Sequence, residues 1–536
     1  MIVKGSPYFQ VAWRRGRALT GPRGPYPMLR HKKARSSLLR ALSVVGLLLI
    51  SSVVVTSAGP VPPDGGSPSV PIAEAPDTAT AMAAARRQGS RVGIADLTAE
   101  SKLVYAEPDG TLTARLATRP IRAKEDDAWV EIDTKLRQHP DGTLHTGATT
   151  ADVAFSAGGA DTPLARIATE DKIFALMWPG DLPPAVVTDD TATYSEVFPG
   201  VDLEMRAEAD GYNQRLIIKT AEAAKNPGLA QIRFGLTADG VTLRTTASGQ
   251  IEAVDASGGV VFVAPAPMMW DDRGIEVSHT PVGVSIDTGN LTLVPDQKML
   301  ADPTTRFPVV VDPDFRTVGQ STWAKVFTGH PNDSYVNGTN DGDAWGKVGY
   351  CGWSDCNGIG TARTYYQYDT SFLADKRLIS AFFDTTIVHG PSCTASDQQL
   401  YVSHASIGWG TTWNNAPSGT LLGTKSAPGS CDGYQPLGFS VGNNLNKDGL
   451  STYFMKAPDN NENNKYSWRR YDVTVTWLAI NYNSRPNPPY EMKTDPPLPA
   501  PCRWCGGVPY LGDNFVRLQS KLSDPDSNEQ LRPIWD

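Results

Sequence analysis

Beyond residue 58 the chain lacks any apolar run approaching the ~18 residues that a membrane-spanning helix needs, which excludes a polytopic membrane protein. It also lacks the Gly-x-Ser-x-Gly elbow of serine hydrolases and the His-Glu-x-x-His motif of zinc proteases. Its seven histidines are scattered along the chain. We therefore expect a protein that is not an enzyme and that requires no cofactor.

Acidic residues are missing from residues 1–58, which hold ten of the 49 lysines and arginines. The remaining 39 basic residues face all 57 acidic residues, so the rest of the chain has a net charge of -18. A strongly acidic body repels nucleic acid. We expect no nucleic-acid partner.

The N-terminus has the pattern of a secretory signal peptide. A basic stretch from Met28 precedes the apolar residues 41–55, and small residues follow up to Ala58. We expect translation to start at Met28, residues 1–58 to be removed, and the protein to be secreted, extracellular or attached to the cell wall. The alternative is an uncleaved anchor, because residues 41–58 are just long enough to span a bilayer. The membrane would then be contacted only through this segment.

Cysteine is absent from the first 350 residues, and all six cysteines lie in the C-terminal part. An even number in an exported chain indicates disulfides rather than a zinc site. We expect sequential pairing, which joins Cys351 to Cys356, Cys393 to Cys431, and Cys502 to Cys505.

Turn signals and short β-branched stretches dominate the mature chain, whereas helical periodicity is almost absent. Residues 59–77 form a Pro/Gly-rich linker, after which Asp77 caps one short helix that ends near Gly89. Residues 78–315 are expected to form a β-rich N-terminal region of one or two sandwiches. The fold class is all-β, with tandem β-sandwich domains.

Residues 316–482 contain 24 of the 46 aromatic residues, including seven of the 13 tryptophans, together with four cysteines. This composition predicts one disulfide-tied β-sandwich. A second Pro-rich linker follows at 483–509. Residues 510–536 are too few to bury a core, so we interpret them as the start of an incomplete module in a truncated chain or split reading frame.

The layout of several short motifs resembles the DNRLRE-type β-sandwich modules of secreted actinobacterial proteins, although the six letters that name the family are not present. The motifs are Arg363–Leu373, Leu378–Phe383, Thr412–Pro417, Trp468–Tyr471 and Tyr482–Pro486. Val309–Pro313 is similar to the tag that usually precedes the module. Upstream, Trp129–Leu136, Tyr194–Leu203 and Ala264–Asp271 are similar to the β-rich N-terminal region of the same architectures. Downstream, Lys521–Asp526 resembles the first hairpin of an Ig-like or fibronectin-like repeat.

This resemblance implies the leading part of a long surface or secreted protein, followed by LamG modules, Ig-like repeats or Rhs-type repeats. The resemblance implies no catalytic residues. The expected function is a non-catalytic surface or wall-associated scaffold or adhesin. The alternative is the N-terminal delivery portion of an Rhs-like toxin, or of a secreted hydrolase whose active module lies downstream.

An Asn/Asp-rich loop at residues 332–343 is the candidate metal site. Calcium prefers six to eight oxygen ligands, which carboxylates and amides supply. The candidate ligands are Asp333, Asn337, Asp341 and Asp343, holding a structural calcium. The alternative is that Asn, Asp and Gly simply form turns here.

Exposed tryptophans in the same region suggest a surface that binds cell-wall or extracellular polysaccharide, because sugar rings stack on aromatic faces. The candidates are Trp345, Trp353 and Trp409, whereas Trp413 and Trp468 are expected in the core. The alternative is that all these rings fill the sandwich interior.

Two further constellations are not expected to form sites. His389, His404 and Asp384 could meet as a metal or acid/base site, but no ligand spacing supports it, and exposed turn histidines are the preferred interpretation. Adjacent carboxylates such as Asp189–Asp190 and Asp271–Asp272 point to opposite faces if they lie in strands. We expect these to lie in solvated turns.

Overall fold

The computed structural model describes residues 71–275, 277–338, 345–356, 358–403, 405–429 and 433–495, with 497, 517–524 and 531. Within these residues the fold is almost entirely β, with 38 strands and two α-helices, so the predicted all-β class is confirmed. The predicted signal peptide lies outside the described residues. No described helix is long and apolar enough to cross a membrane.

The first described segment contains the one helix that the sequence predicts. Asp77 caps it by accepting from the Thr80 backbone N–H at 2.9 Å, and Gly89 ends it at a φ of 68°, which favours glycine. The elements are β1 (Glu74–Ala75), α1 (Thr78–Gln88), β2 (Val92–Ile94), β3 (Lys102–Ala106) and β4 (Leu112–Leu116). Because β1 falls inside the predicted linker 59–77, the fold begins earlier than expected.

A small hairpin and a large sandwich follow. The hairpin is β5 (Arg122–Glu125) with β6 (Ala128–Glu131). The sandwich strands are β7 (Arg137–Gln138), β8 (Thr143–His145), β9 (Asp152–Ser156), β10 (Ala165–Thr169), β11 (Lys172–Met177), β12 (Val186–Thr188), β13 (Thr191–Phe198), β14 (Val201–Glu208), β15 (Gly211–Ile218), β16 (Ile232–Asp239), β17 (Thr242–Thr245), β18 (Ile251–Val254), β19 (Val260–Ala264), β20 (Met268–Trp270), β21 (His279–Pro281), β22 (Gly283–Asp287), β23 (Asn290–Val294), β24 (Val309–Asp312) and β25 (Asp314–Thr317), with helix α2 at Gln297–Ala301.

These strands form two packed sheets, which we call the inserted sandwich (residues 137–317). One sheet has the order β22-β23-β16-β11-β10-β9-β8-β7. The other has the order β12-β13-β14-β15-β25-β19-β18-β17, with β20, β21 and β24 attached. Alternating apolar residues face inward, and the rings of Phe174, Tyr212 and Phe315 meet in the core with centroids 4.9 and 5.6 Å apart.

The remaining strands are β26 (Thr322–Phe327), β27 (His330–Val336), β28 (Trp345–Cys351), β29 (Gly360–Asp369), β30 (Lys376–His389), β31 (Ser396–Ser403), β32 (Gly419–Ala427), β33 (Gln435–Ser440), β34 (Leu450–Lys456), β35 (Arg469–Asp472), β36 (Trp477–Ser484), β37 (Tyr490–Asp495) and β38 (Arg517–Lys521). Short 3₁₀ turns lie at Ala95–Leu97, Ala223–Lys225, Pro227–Leu229, Ser354–Cys356, Ser371–Leu373, Lys465–Ser467 and Val473–Val475.

The second sandwich is built from both ends of the described chain. One sheet runs β1-β2-β3-β4-β36-β30-β35-β28, and the other runs β28-β29-β34-β31-β32, with β26, β27 and β33 attached at the sides. Strand β4 pairs with β36, where Leu116 faces Leu478 and Leu112 faces Tyr482. We call this unit the split sandwich (residues 74–116 and 322–484).

The predicted boundary between residues 315 and 316 lies two residues before the end of the inserted sandwich at Thr317, but the N-terminal region does not form one unit up to it. Residues 74–116 belong to the C-terminal sandwich, because their apolar side chains share its core rather than that of the neighbouring sequence. The two breaks are close in space, since Ala117 N–H donates to the Ser101 carbonyl and Ser101 Oγ lies 3.3 Å from Ser321 Oγ. One sandwich is thus inserted into the other.

Cys351 and Cys356 form a disulfide at the end of β28, as predicted, with Cα atoms 5.7 Å apart. Cys393 is also disulfide-bonded. Its predicted partner Cys431 and the predicted pair Cys502 and Cys505 lie outside the described residues.

The C-terminal boundaries also differ from the expectation. Strand β36 ends at Ser484, and β37, inside the predicted linker 483–509, pairs with β38 in a two-stranded ribbon. The incomplete Ig-like or fibronectin-like module at 510–536 stays a prediction.

Candidate functional site

The structure places the three predicted carbohydrate-binding tryptophans at separate positions. Trp345 and Cys351 are the two ends of β28, and seven residues of strand span about 20 Å. Trp345 is partly buried beside Asp472 in the neighbouring strand. Trp353 follows that strand inside the small disulfide loop, and Trp409 lies in a different loop, where it lines a cleft.

Trp353 is 37% exposed, but its ring is engaged by neighbouring side chains. The Lys465 ammonium lies 4.0 Å from the ring centroid, and Tyr466 packs edge-on at 5.8 Å. A cation over an indole face is itself a favourable contact. Stacking a sugar on that face would therefore require Lys465 to move.

Trp409 is half-buried in a cleft of about 280 Å³ between the two sandwiches. We call this the aromatic cleft. Ser248, Gln250 and His279 line it from the inserted sandwich, and Asn332, Asp333 and Trp409 line it from the split sandwich. A concave site with an aromatic wall and a few polar groups is the usual form of a small-ligand site.

The loop that carries Trp409 is held by its own hydrogen bonds. Ser334 Oγ donates to the Trp409 carbonyl at 2.6 Å, and Asn414 Nδ2 donates to Asn332 Oδ1 at 2.8 Å. Asn415 closes the loop by donating to the Gly410 carbonyl. A loop fixed in this way loses little conformational freedom when a ligand binds.

Gln250 supplies a hydrogen-bonding group on the opposite wall. Its Nε2 is buried and has no hydrogen-bond partner among the described residues, while its Oε1 accepts from Ser248 at 3.4 Å. A buried donor without a partner costs about 1–3 kcal/mol. A ligand oxygen in the aromatic cleft would remove that cost if the Gln250 side chain turned towards it.

The described half of the predicted calcium set does not converge. Asp333 Oδ2 contacts His279, whereas Asn337 Oδ1 accepts from Thr322 and from the Trp323 backbone N–H. The other two predicted ligands, Asp341 and Asp343, lie outside the described residues. Structural calcium at this loop stays a prediction.

Asp333 instead joins two histidines. Its Oδ2 lies 2.8 Å from His279 Nε2 and 3.7 Å from His330 Nδ1, and the two imidazole rings meet edge-on at 4.7 Å. A second cluster, His139 with Asp141 and His145, lies on the β7–β8 hairpin. Both clusters bring ligand atoms close enough to hold a metal ion.

The constellation of His389, His404 and Asp384 is not supported by the described residues. Asp384 and His389 are five residues apart on β30, a distance of about 17 Å along a strand. His404 lies outside the described residues. Burial raises the pKa of Asp384, and Arg115 partly offsets this.

Asp271 is not solvated, contrary to the prediction from the sequence. It is fully buried and accepts from the Arg273 guanidinium at 2.6–3.0 Å and from the Arg306 backbone N–H. Its neighbour Asp272 is exposed. The pair therefore separates into one structural and one solvent-facing carboxylate.

A buried group of charges lies on the inserted sandwich, where it faces the split sandwich. Arg316 donates to both oxygens of Asp314 at 3.1–3.2 Å and to Asp210 at 3.0 Å. Nearby, Asn213 donates to Asp312 Oδ1 at 2.7 Å. Burial raises the pKa of Asp312 to about 7, which Arg215 partly opposes, and that of Asp314 to about 6 despite Arg316.

Asp312 makes the stability of the inserted sandwich depend on pH. Its folded pKa of about 7 lies above the value near 4 of an unfolded aspartate, so its contribution is complete below pH 4 and lost as the pH rises through 7. Asp312→Asn keeps the size and removes the charge. We expect it to stabilise the protein by about 4 kcal/mol at pH 8 and to change little at pH 4.

Urea unfolding from pH 4 to pH 8 measures this difference. Asp161→Asn, which alters an exposed carboxylate of the same sandwich, is the control and should show no such trend. A difference between Asp312→Asn and wild type that is constant with pH would contradict the assignment.

The residues that sequence reasoning missed come from the inserted sandwich. Gln250 and His279 carry no local motif, and they reach Asp333 and Trp409 only because the two sandwiches meet. No spacing rule links residues that are 50 to 160 positions apart in the chain. Trp409, in contrast, could be predicted from the sequence, because aromatic residues are concentrated in residues 316–482.

No protein-family model matches the chain, and no curated protein matches it either. Among solved structures, a rhamnosidase from Novosphingobium sp. PP1Y has a TM-score of 0.14 at 10% identity, covering 53% of this chain and 25% of its own. An exo-β-1,3-galactanase from Phanerochaete chrysosporium has a TM-score of 0.14 at 8% identity, covering 69% of this chain and 100% of its own. The chain thus spans a quarter of the rhamnosidase. Likenesses of this size establish neither a family nor an activity for this chain.

Proposed function

We propose that this chain is a secreted, non-catalytic binding protein of the cell surface or wall that binds carbohydrate in the aromatic cleft. The observation that carries the proposal is the half-buried indole of Trp409 in a cleft of about 280 Å³ with amide, carboxylate and hydroxyl groups around it. A volume near the lower end of ~300–1,000 Å³ suits one or two sugar rings.

The two walls of the cleft offer the two kinds of contact that a sugar needs. The apolar face of a pyranose can pack on the Trp409 ring, which gains from burying apolar area. Its hydroxyl groups can donate to Asn332 or Asp333, and they can accept from Gln250 Nε2 once that side chain turns into the cleft. The fixed loop of Trp409 supports binding without much loss of entropy.

The same lining supports a non-catalytic role. Glycosidases use two carboxylates about 5–10 Å apart across the scissile bond. Among the described residues that line the aromatic cleft, Asp333 is the only carboxylate, and it already pairs with His279. Secretion is supported by the sequence of residues 28–58 and by the Cys351–Cys356 disulfide.

Trp409→Ala is expected to weaken polysaccharide binding by about 10–100-fold, because truncating a stacked aromatic ring loses about 1.5–3 kcal/mol. The measurement is retention of the oxidised mature chain, residues 59–536, on insoluble polysaccharides and isolated cell walls over a concentration series. Gln250→Leu, on the opposite wall, is expected to weaken binding by about 10-fold, since one buried hydrogen bond is lost.

Trp353→Ala is the matched control, because Lys465 already covers that ring. It should leave retention unchanged, and thermal unfolding of each variant shows whether the fold is retained. Retention that is lost in Trp353→Ala but kept in Trp409→Ala would refute the cleft as the binding site. Turnover of any retained polysaccharide would refute the non-catalytic role.

A further inference from the structure

The junction of the two sandwiches brings together three metal-ligating side chains from distant parts of the chain. His279 begins β21 of the inserted sandwich, while His330 and Asp333 lie on β27 of the split sandwich. We propose that these three residues bind one divalent transition-metal ion of the zinc class, which ties the sandwiches together beside the aromatic cleft.

The ligand atoms have suitable spacing. His279 Nε2 and Asp333 Oδ2 are 2.8 Å apart, Asp333 Oδ2 and His330 Nδ1 are 3.7 Å apart, and all three lie within 4.8 Å of one another. Two ligand atoms bound at about 2.0–2.1 Å to a tetrahedral zinc are about 3.3 Å apart. Side-chain shifts of about 1 Å would therefore complete the site.

The hydrogen bonding of His279 identifies Nε2 as its ligand atom. Its Nδ1 contacts the backbone carbonyl of Ile275, and because a carbonyl can only accept, Nδ1 carries the hydrogen. Nε2 is then the ring nitrogen that faces Asp333 Oδ2. Without a metal, an imidazolium that donates from both nitrogens satisfies these contacts, and a metal ion replaces the Nε2 proton when it binds. Metal-binding histidines commonly donate their other N–H to a backbone carbonyl in this way.

The donor set selects the class of metal. Two imidazoles and one carboxylate suit zinc, cobalt or nickel, whereas calcium prefers six to eight oxygen ligands. The side chains are partly enclosed, with exposures of 11% for His279, 19% for His330 and 34% for Asp333. Three protein ligands leave one tetrahedral position for water or for a hydroxyl group of a molecule in the cleft.

The second cluster of the chain provides a matched comparison. His139, Asp141 and His145 have the same residue types, but His139 and Asp141 are exposed on a hairpin. Thr143 occupies this cluster, since its Oγ1 contacts Asp141 Oδ1 at 2.5 Å and His145 Nε2 at 2.8 Å. All three residues belong to the inserted sandwich, so a metal ion bound there could not join the two sandwiches.

The test uses the mature chain, residues 59–536, stripped with a chelator and dialysed against zinc, followed by elemental analysis and calorimetric titration with zinc, cobalt and calcium chlorides. We expect one equivalent of zinc per chain and a visible absorption band of tetrahedral cobalt. His279→Gln and Asp333→Asn should each lower zinc affinity by about 100-fold or more, beyond the loss from disturbing an outer-shell partner. His139→Gln combined with His145→Gln should leave it unchanged.

Several results would overturn the proposal. These are a wild type that retains no stoichiometric zinc, a preference for calcium, or zinc lost only with the His139 and His145 substitutions. The melting temperature gives a second readout, because zinc should raise that of the wild type, chelation should reverse the rise, and that of His279→Gln should not change. Zinc binding is measured without polysaccharide, so its failure leaves the carbohydrate proposal standing.

Discussion

A fragment that begins at residue 316 and ends after β36 is expected not to fold, although it contains the whole predicted C-terminal sandwich. It lacks α1 and strands β1–β4, which make up half of one sheet, and so it leaves the edge of β36 unpaired. The missing segment buries Met82, Ile94, Val104, Leu112 and Leu116, among others, in the shared core. Losing such side chains costs about 2–5 kcal/mol each, more in total than the ~5–15 kcal/mol that stabilises a domain.

The matched control removes the inserted sandwich instead. Residues 71–117 joined by a short Gly/Ser linker to residues 320–485 should fold, because Ala117 and Ser321 both lie beside Ser101. Circular dichroism and a cooperative thermal transition distinguish the two chains. A stable, cooperative fold in the fragment from residue 316 would contradict the role given to the N-terminal segment.

Arg316→Met is expected to lower the free energy of unfolding of the inserted sandwich by about 3–5 kcal/mol at pH 8. The guanidinium makes bidentate hydrogen bonds to Asp314, which is 1% exposed, and reaches Asp210 as well. Removing it leaves two carboxylates without their cation in a poorly solvated place. Burial raises the pKa of Asp314 to about 6 although Arg316 lowers it, and losing Arg316 raises it further, so the loss should shrink as the pH falls from 8 towards 6.

Arg233→Met is the control for this prediction. Arg233 pairs with Asp287 at 2.9 Å on the same sandwich, but both side chains are more than half exposed. Exposed pairs contribute about 0–1 kcal/mol, so urea unfolding should barely change. The double substitution Arg316→Met with Asp314→Asn should recover part of the loss. Equal effects of Arg316→Met and Arg233→Met would show that the buried network does not stabilise the fold.

Local structure could be predicted well from the sequence. Asp77 and Gly89 bound helix α1 as expected, because capping depends on a few neighbouring residues. The short β-branched stretches between turns also form strands, as at Val260–Ala264, because such side chains favour extended backbone. The disulfide between Cys351 and Cys356 follows from their short separation.

Partners distant in sequence could not be predicted. Nothing local in Leu112–Leu116 shows that it pairs with β36 rather than with the strands that come after it. Asp271 and Asp272 cannot be told apart from the sequence, yet only Asp271 is buried. The fold places its partners Arg273 and Arg306 beside it. The aromatic cleft is hidden for the same reason, since each of its walls belongs to a different sandwich.

The insertion of one sandwich into another also constrains the order in which the protein can fold during synthesis. Asn481 donates to Thr111, which lies 370 residues earlier in the chain. Strands β1–β4 are therefore synthesised first but must wait, with an unpaired edge, until β36 has followed. Such long-range pairing is slow and leaves apolar strands open to aggregation. The inserted sandwich can fold in that interval. Of the two sandwiches, the split one is therefore the first whose synthesis begins and the last to complete its fold.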